Sequence, residues 1–542
     1  MANPRILGAN LASRKAEIET IKSWMATCIS QHGKSGCNTR RSDTFPERLI
    51  RISAGTKEAR LVNVGSLGHV PEFVALSYCW GLTENLKTLK ATLTQMEERI
   101  PFGALPLTVK QAFEVVKALG FHYLWVDALC IVQDDETDWQ REARKMGAVY
   151  SNAILVIAAM SSRGSEEGLY SKANDASLAN DTFHAVMQAC RTMPRKQWED
   201  FIQQDLPLLC RGWGFQERLL ARRIVHFTPA ELVWECKGSN WCQCGAISSS
   251  SVRDGKINSM NAAFWLCVDH PSPECIRPMW RECVKTFSRR SLTMLDDRGF
   301  AIAGVAELLR GPDCADLYVS GLWKDALPFD LLWRCDQSTT LKRQKSRRPS
   351  WSWVSVDCGI NWPIAKDPGT LSISAETYFE SNLEGVKCTH ADAVQPSRQY
   401  HPTNIGLIHL TTRIVKIKVN KEATQDHEAS PFRTEWNVEE PGGRTLPFYP
   451  DIQLSNEDKP GSLDWEAHAC DGNGKLYYLE IIASATDSAT WQAGLIVREH
   501  EIGESNGKTY ERIGVAAHMS LACSNDEHSF VPLIPAQEVI LV

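Results

Sequence analysis

Polar residues able to do chemistry sit at the ends of three apolar stretches. The run YLWVDALCIV, Tyr123 to Val132, is too continuously apolar for a half-exposed strand and predicts one in the middle of a sheet covered on both faces. An acid, Asp127, lies inside it. A carboxylate there is costly unless it is paired or reaches a solvated strand exit, so Asp127 either positions a ligand or water or caps the backbone of a neighbouring loop. Cys130 needs a base to act as a nucleophile, and the nearest histidine, His122, is not placed by sequence to serve; a packed thiol is the simpler reading. Gln133 can donate and accept towards a ligand or can fix its own loop. The second run, FVALSYCWG from Phe73 to Gly81, carries Ser77, Tyr78, Trp80 and Gly81 at its exit. The third, RGWGFQERLL from Arg211, puts Trp213 and Glu217 four residues apart and so on one helical face, with Arg211 and Gln216 beside them. Glu217 is a candidate catalytic carboxylate, or else it pairs with Arg211, Arg222 or Arg223 and holds its helix to the sheet.

These residues converge only if the intervening elements bring the strand exits together. LPLTVKQAFEVVKALG reads as a helix with Thr108 as N-cap and Gln111 completing a capping box, an apolar face of Val109, Ala112, Phe113, Val116 and Leu119, and Gly120 as its stop. A second helix opens with the same signal, Thr137 and Gln140, and carries Trp139, Ala143, Met146 and Tyr150 as a stripe. ILVIAA, Ile154 to Ala159, follows as a buried strand. Strand, helix, strand is the right-handed crossover of a parallel sheet, and chemistry in such sheets collects at the carboxyl ends of the strands. With FVALS as first strand, Ser77, Trp80, Asp127 and Cys130 approach one crevice.

A chain of 542 residues, 43% apolar and 23% charged, has the composition of a soluble globular protein of two to four domains. Its net charge of -6 leaves no electrostatic footprint for nucleic acid, and KRQKSRR, Lys342 to Arg348, reads as a solvated loop. No apolar run is long enough for a transmembrane helix, and the charged N-terminus lacks the core of a signal peptide, so a cytoplasmic protein fits. The 18 cysteines are scattered through core-bearing sequence, which makes reduced, buried thiols the default. Cys28, His32 and Cys37 have ligand-like spacing, but zinc needs a fourth ligand, from Cys236 or from Cys242 and Cys244; a helix end with packed thiols is the alternative, and no metal is assigned. Phosphate-loop, dinucleotide-fingerprint, zincin and nucleophile-elbow motifs are absent.

The organisation follows. Residues 1–70 hold a helix from Glu17 to Ile29 and a hairpin, RLIRIS with ARLVNV; 71–240 hold the α/β core, with an excursion over 160–209 and IVHFT and ELVWEC as paired strands. Residues 241–345 continue as helices, with stripes over Pro278 to Leu309 and a helix broken at Pro328. Residues 346–542 are β-rich, with DGNGK as a hairpin turn.

The order FVALSYCWG, LPLTVKQAF, YLWVDALCIVQDD, DWQREARKMGAVYSNA, RGWGFQERLL resembles the fungal heterokaryon incompatibility (HET) domain family. GLWKDALPFDLLW, PSWSWVSV and YERIGVAA look like the tail that accompanies it. The resemblance implies an intracellular fungal protein of non-self recognition and programmed cell death, self-association through the domain, and an unidentified incompatibility partner. That family is in turn similar in layout to the Toll/interleukin receptor (TIR) domain, which implies an α/β fold with a flavodoxin/TIR-like parallel sheet in the N-terminal half, helical insertions in the middle and a β-rich C-terminal domain. TIR enzymes hydrolyse NAD with a glutamate four positions after a tryptophan, the spacing of Trp213 and Glu217. NAD then enters as substrate, with no resident cofactor: Glu217 would stabilise an oxocarbenium-like transition state, Trp213 or Trp80 would wall a ring, and Asp127 would position a ribose or water. The segment from Met160 to Leu209 is a departure from that layout. A non-enzymatic scaffold and a HET-fold enzyme of small-molecule biosynthesis are the other readings.

Overall fold

The computed structural model describes residues 4–170, 203–362 and the strands from 386 to 541, with short breaks. Two compact units result, Met1–Pro271 with Arg290–Leu309, and Ser272–Arg289 with Arg310–Val542.

The first unit contains, in chain order, α1 (Pro4–Gln31), β1 (Arg48–Ile52), β2 (Ala59–Asn63), β3 (Val74–Ser77), α2 (Leu93–Glu98), α3 (Leu107–Ala118), β4 (Tyr123–Trp125), α4 (Asp127–Cys130), α5 (Glu136–Asn152), β5 (Leu155–Ala159), α6 (Gly214–Leu219), β6 (Arg223–Phe227), β7 (Leu232–Cys236), β8 (Ser239–Cys242), β9 (Ser248–Ser250) and α7 (Met260–Asp269). After α8 (Pro273–Phe287), which belongs to the second unit, α9 (Phe300–Arg310) returns the chain to the first. The nine strands form one sheet in the order β2-β1-β4-β3-β5-β6-β7-β8-β9. Only β4, β3, β5 and β6 are parallel. The expected parallel sheet forms the centre, with antiparallel strands added on both sides. β1 with β2, and β6 with β7, are joined by short links, which can make only antiparallel pairs because parallel neighbours need a long crossover. Counted along the chain, the parallel strands lie in the order 2-1-3-4. Every residue of β3, β5 and β6 is buried, and β5 accordingly reads as an unbroken apolar run.

Three local expectations change. The acid-bearing strand ends at Trp125, and Asp127 opens the single helical turn α4, so it leaves the sheet instead of lying within it. Thr108 and Gln111 do not cap α3, whose N-cap is Pro106. Their side chains accept from Gly168 N at 3.1 Å and Leu169 N at 2.6 Å, because a packed loop offers them buried donors that need a partner more than the helix end does. The N-cap of α5 is Asp135, which accepts from Thr137 N at 3.1 Å, while Gln140 bonds Glu136 on the helix surface at 2.7 Å.

α5 and α9 cross at Gly147 and Gly304, where a Cβ on Gly147 would lie 2.7 Å from the Gly304 Cα. Backbone on both sides leaves nothing flexible to give. Gly147→Ala is expected to destabilise the first unit by about 1–3 kcal/mol, read as a lower urea midpoint; an unchanged midpoint would refute the close crossing.

A second test concerns acid. Burial pushes the Glu235 carboxyl up, but Arg218 at 2.8 Å and His226 at 3.2 Å overcome it and hold it well below the ordinary range. Burial itself holds His226 below its usual value. Both groups bind protons more readily in the unfolded chain, so the stability they contribute is present at neutral pH. It is lost as pH falls, first below the ordinary histidine range and then below the carboxylate range. The melting temperature is expected to drop between pH 7 and 4, with a shallower drop in the double variant Glu235→Gln with His226→Gln, in which neither position takes up a proton. An equal slope in the variant would exclude this pair as the cause.

In the second unit, the predicted broken helix is instead a small hairpin, Tyr318–Val319 with Leu322–Trp323, followed by the helical turn Leu327–Asp330, which accommodates Pro328 because a first turn needs no donor there. Cys335 and Cys358 are joined as a disulfide, an exception to the expected reduced thiols. The β-rich C-terminal expectation holds: ten strands from Val386 to Leu541 form one mostly antiparallel sheet, with Leu476–Thr486, Ala489–His500 and Thr509–Ser520 as its long strands. The basic run Lys342 to Arg348, the DGNGK turn and residues 171–202 of the excursion lie outside the described residues. Among the described residues no helix is long and apolar enough to cross a membrane.

Candidate active site

The carboxyl end of β3 meets α4 and α6, and this junction gathers most of the residues singled out above. Ser77, the last residue of β3, donates its hydroxyl to Glu217 Oε2. Glu217 Oε1 accepts no hydrogen bond among the described residues and faces Arg211 Nη1 at 3.9 Å. Arg211 also donates to the Tyr78 carbonyl oxygen, and its Nη2 lies 3.4 Å from Asp127 Oδ2. The same Asp127 oxygen accepts from the Trp80 indole at 2.8 Å, while Oδ1 accepts from Ala128 N at 2.7 Å. Burial, and then the neighbouring Asp127, raise the Tyr78 hydroxyl well above its ordinary pKa. One guanidinium therefore bridges two carboxylates from two different elements.

Local sequence explains how each is held. Thr88, fully buried, bonds Leu129 O through its hydroxyl at 2.7 Å, and its backbone bonds Ala128 O at 3.0 Å and Gln133 N at 2.9 Å, fixing the α4 turn that presents Asp127. Gln133 spends its amide on the same turn, donating to Asp127 O and Ile131 O at 3.1 Å each. The Arg211 loop is braced by Gly212 N to Ser291 O and Ser291 N to Cys210 O, both 2.7 Å. Gly81, with φ of 78°, turns the chain away from Trp80 in a backbone conformation that L side chains rarely adopt.

Some expected members lie elsewhere. Cys130 is fully buried, and burial pushes its thiol up to about 12, so it is protonated and inert. The Trp213 indole donates to Asp297 at 3.2 Å. Gln216, also fully buried, sits at the α5/α9 crossing, its Oε1 2.9 Å from where a Gly304 Cβ would be, and not beside Asp127. In a one-turn helix, adjacent residues face different ways, which sequence proximity to Glu217 concealed.

Tyr150 was visible only as part of an apolar stripe. Its hydroxyl donates to Leu76 O at 3.0 Å, and burial, then Glu217 and Asp127, raise its pKa well above the ordinary value. A tyrosine in an apolar stripe behind a polar strand exit is the signal that could have marked it.

Electrostatically, the group is poised. Burial raises the Glu217 pKa, opposed by Arg211 and by the Ser77 hydroxyl. Burial also disfavours charge on Arg211, but Glu217 and Asp127 outweigh it and hold its pKa above the usual range. Such an arrangement can keep a desolvated carboxylate available to developing positive charge.

Residues 73–217 match the family model described as heterokaryon incompatibility protein (HET). This chain carries a HET domain. The matched stretch opens at the residue before β3 and closes on Glu217, so the HET domain includes Ser77, Trp80, Asp127, Tyr150, Arg211 and Glu217 together. No curated protein and no solved structure matches the chain.

Proposed function

We propose that this HET domain serves fungal non-self recognition by cleaving the nicotinamide–ribose bond of NAD, an activity coupled to cell death and self-association. The observation that carries the reading is the Ser77–Glu217–Arg211–Asp127 constellation at the carboxyl end of β3. Its place in the sheet supports the same reading. A 2-1-3-4 strand order is that of flavodoxin-like sheets, whose ligands sit outside the carboxyl ends at the switch point between the first and third strands, here β3 and β5. Glu217 ionised beside the ribose stabilises the oxocarbenium-like transition state, Ser77 orients its carboxylate, and Trp80 offers a ring face at the rim. Asp127 holds Trp80 and Arg211 and binds a ribose hydroxyl or the attacking water.

Access runs past Arg211, whose side chain is 23% exposed while that of Glu217 is 0% exposed. Substrate entry requires the guanidinium to swing from Glu217 while Asp127 retains it. That enclosure also favours the second reading, in which the cluster is a structural lock and the domain signals by protein contacts alone. The two separate in one experiment: purified protein, dilute and concentrated enough to self-associate, is incubated with NAD and nicotinamide release is followed. Turnover supports the hydrolase; none in either state supports the scaffold.

A further inference from the structure

We propose that Cys28, His32, Cys37 and Cys236 bind a structural zinc ion that fastens α1 to the β7 edge of the sheet. Their four candidate ligand atoms all lie within 4.8 Å of one another. A tetrahedral site with zinc–sulfur bonds of about 2.3 Å has edges of about 3.5–3.8 Å, and Cys236 Sγ lies 3.4 Å from His32 Nδ1. Three cysteines and one histidine are a common closed set for structural zinc, with no open position for substrate.

Local structure delivers each ligand. Cys28 and His32 are four residues apart across the end of α1, where His32 N bonds Cys28 O at 3.0 Å, so both side chains leave one face. The turn marked by Gly36, with φ of 70°, brings Cys37 back beside them. Cys236 ends β7, 204 positions from His32. Sequence spacing left Cys242 and Cys244 as equal candidates for the fourth position. Instead those two sulfurs lie 3.1 Å apart beside Glu231.

Three surrounding features are those a zinc ligand set requires. The His32 Nε2 lies 3.3 Å from Ser239 Oγ, a partner that fixes the ring with Nδ1 towards the sulfurs, as the hydrogen-bond partners of metal-bound histidines do. Gly238 leaves room for that ring, since a Cβ there would fall 2.7 Å from it, and Trp241 covers it at 5.5 Å between centroids. Arg223 provides the charge argument. It is 1% exposed, donates from Nε to Cys28 Sγ at 3.2 Å, and forms no ion pair with a carboxylate among the described residues. A buried guanidinium needs a counter-charge. Three thiolates around a dication carry one net negative charge, which Arg223 balances.

The full-length chain, purified in reductant and without chelator, is assayed for zinc by elemental analysis and by release with a thiol-blocking mercurial. One zinc per chain is expected, with complete loss in Cys37→Ser and full retention in Cys244→Ser. Should Cys37→Ser fail to fold, wild-type protein stripped of metal and titrated with cobalt(II) must develop tetrahedral bands with thiolate-to-cobalt charge transfer, and His32→Ala must alter them. The proposal falls if zinc stays far below one per chain after incubation with excess zinc. It falls equally if Cys37→Ser keeps its zinc, if Cys244→Ser loses it, or if the cobalt spectrum lacks thiolate character.

Discussion

Replacing Glu217 by glutamine is expected to slow nicotinamide release from NAD by about 10²–10³-fold, the usual consequence of removing one preorganised electrostatic group from a water-excluded site. Glutamine keeps the shape and can still accept from Ser77, but it cannot oppose positive charge on the ribose. The fold should not suffer. Burial raises the Glu217 pKa, so the folded chain holds that proton more tightly than the unfolded chain does. The proton-linked stability is full below the ordinary carboxylate value and is lost as pH rises through the raised one, which a neutral amide avoids. Catalysis has the opposite preference, since the ionised form is needed, and the lower limb of the pH–rate profile should lie above the ordinary carboxylate range. Full activity in Glu217→Gln, with an unchanged melting temperature, would remove Glu217 from the chemistry. Turnover lost together with a large fall in melting temperature would assign it to structure instead.

Asp138→Ala is expected to cost about 3–5 kcal/mol, the penalty for leaving one member of a buried ion pair without its partner. Asp138 and Arg48 are both buried and pair directly. The same carboxylate accepts from Val132 N at 2.8 Å and from Arg141, and Arg48 donates to Cys130 O at 2.9 Å. One acid therefore ties β1, the end of the Asp127 turn and α5 together. Urea unfolding should show the loss in Asp138→Ala. Arg48→Met combined with Asp138→Leu should recover much of it, because an apolar pair removes both buried charges at once. If the double variant is no better than the single, the cost lies in the backbone bonds to Val132 and Cys130 and not in the stranded charge.

Much of the fold was legible because its causes are local. Continuous apolar runs place β3 and β5 in the sheet interior, and the pattern of α5 follows from its apolar stripe. The caps were not legible in the same way. Thr108 and Gln111 form a proper capping signature, yet a loop sixty residues on supplies donors that only the folded chain brings near them. Asp127 looked anomalous because a buried strand and a buried helical turn have the same composition; what ends β4 at Trp125 is the set of bonds from Thr88 and Gln133.

The sequence by itself determined the residue types at the strand exits, the order of the motifs, and therefore the HET domain and the roster from Ser77 to Glu217. Only tertiary structure decided which members meet. Ser77 and Glu217 are 140 positions apart and meet in a hydrogen bond, whereas Gln216, next to Glu217, turns to another helix. Cys236 joins Cys28, His32 and Cys37, and Cys242 does not. Periodicity and propensity act over a turn or a strand, but these pairings depend on how sheet order and loop closure bring distant elements together, and no local spacing encodes that.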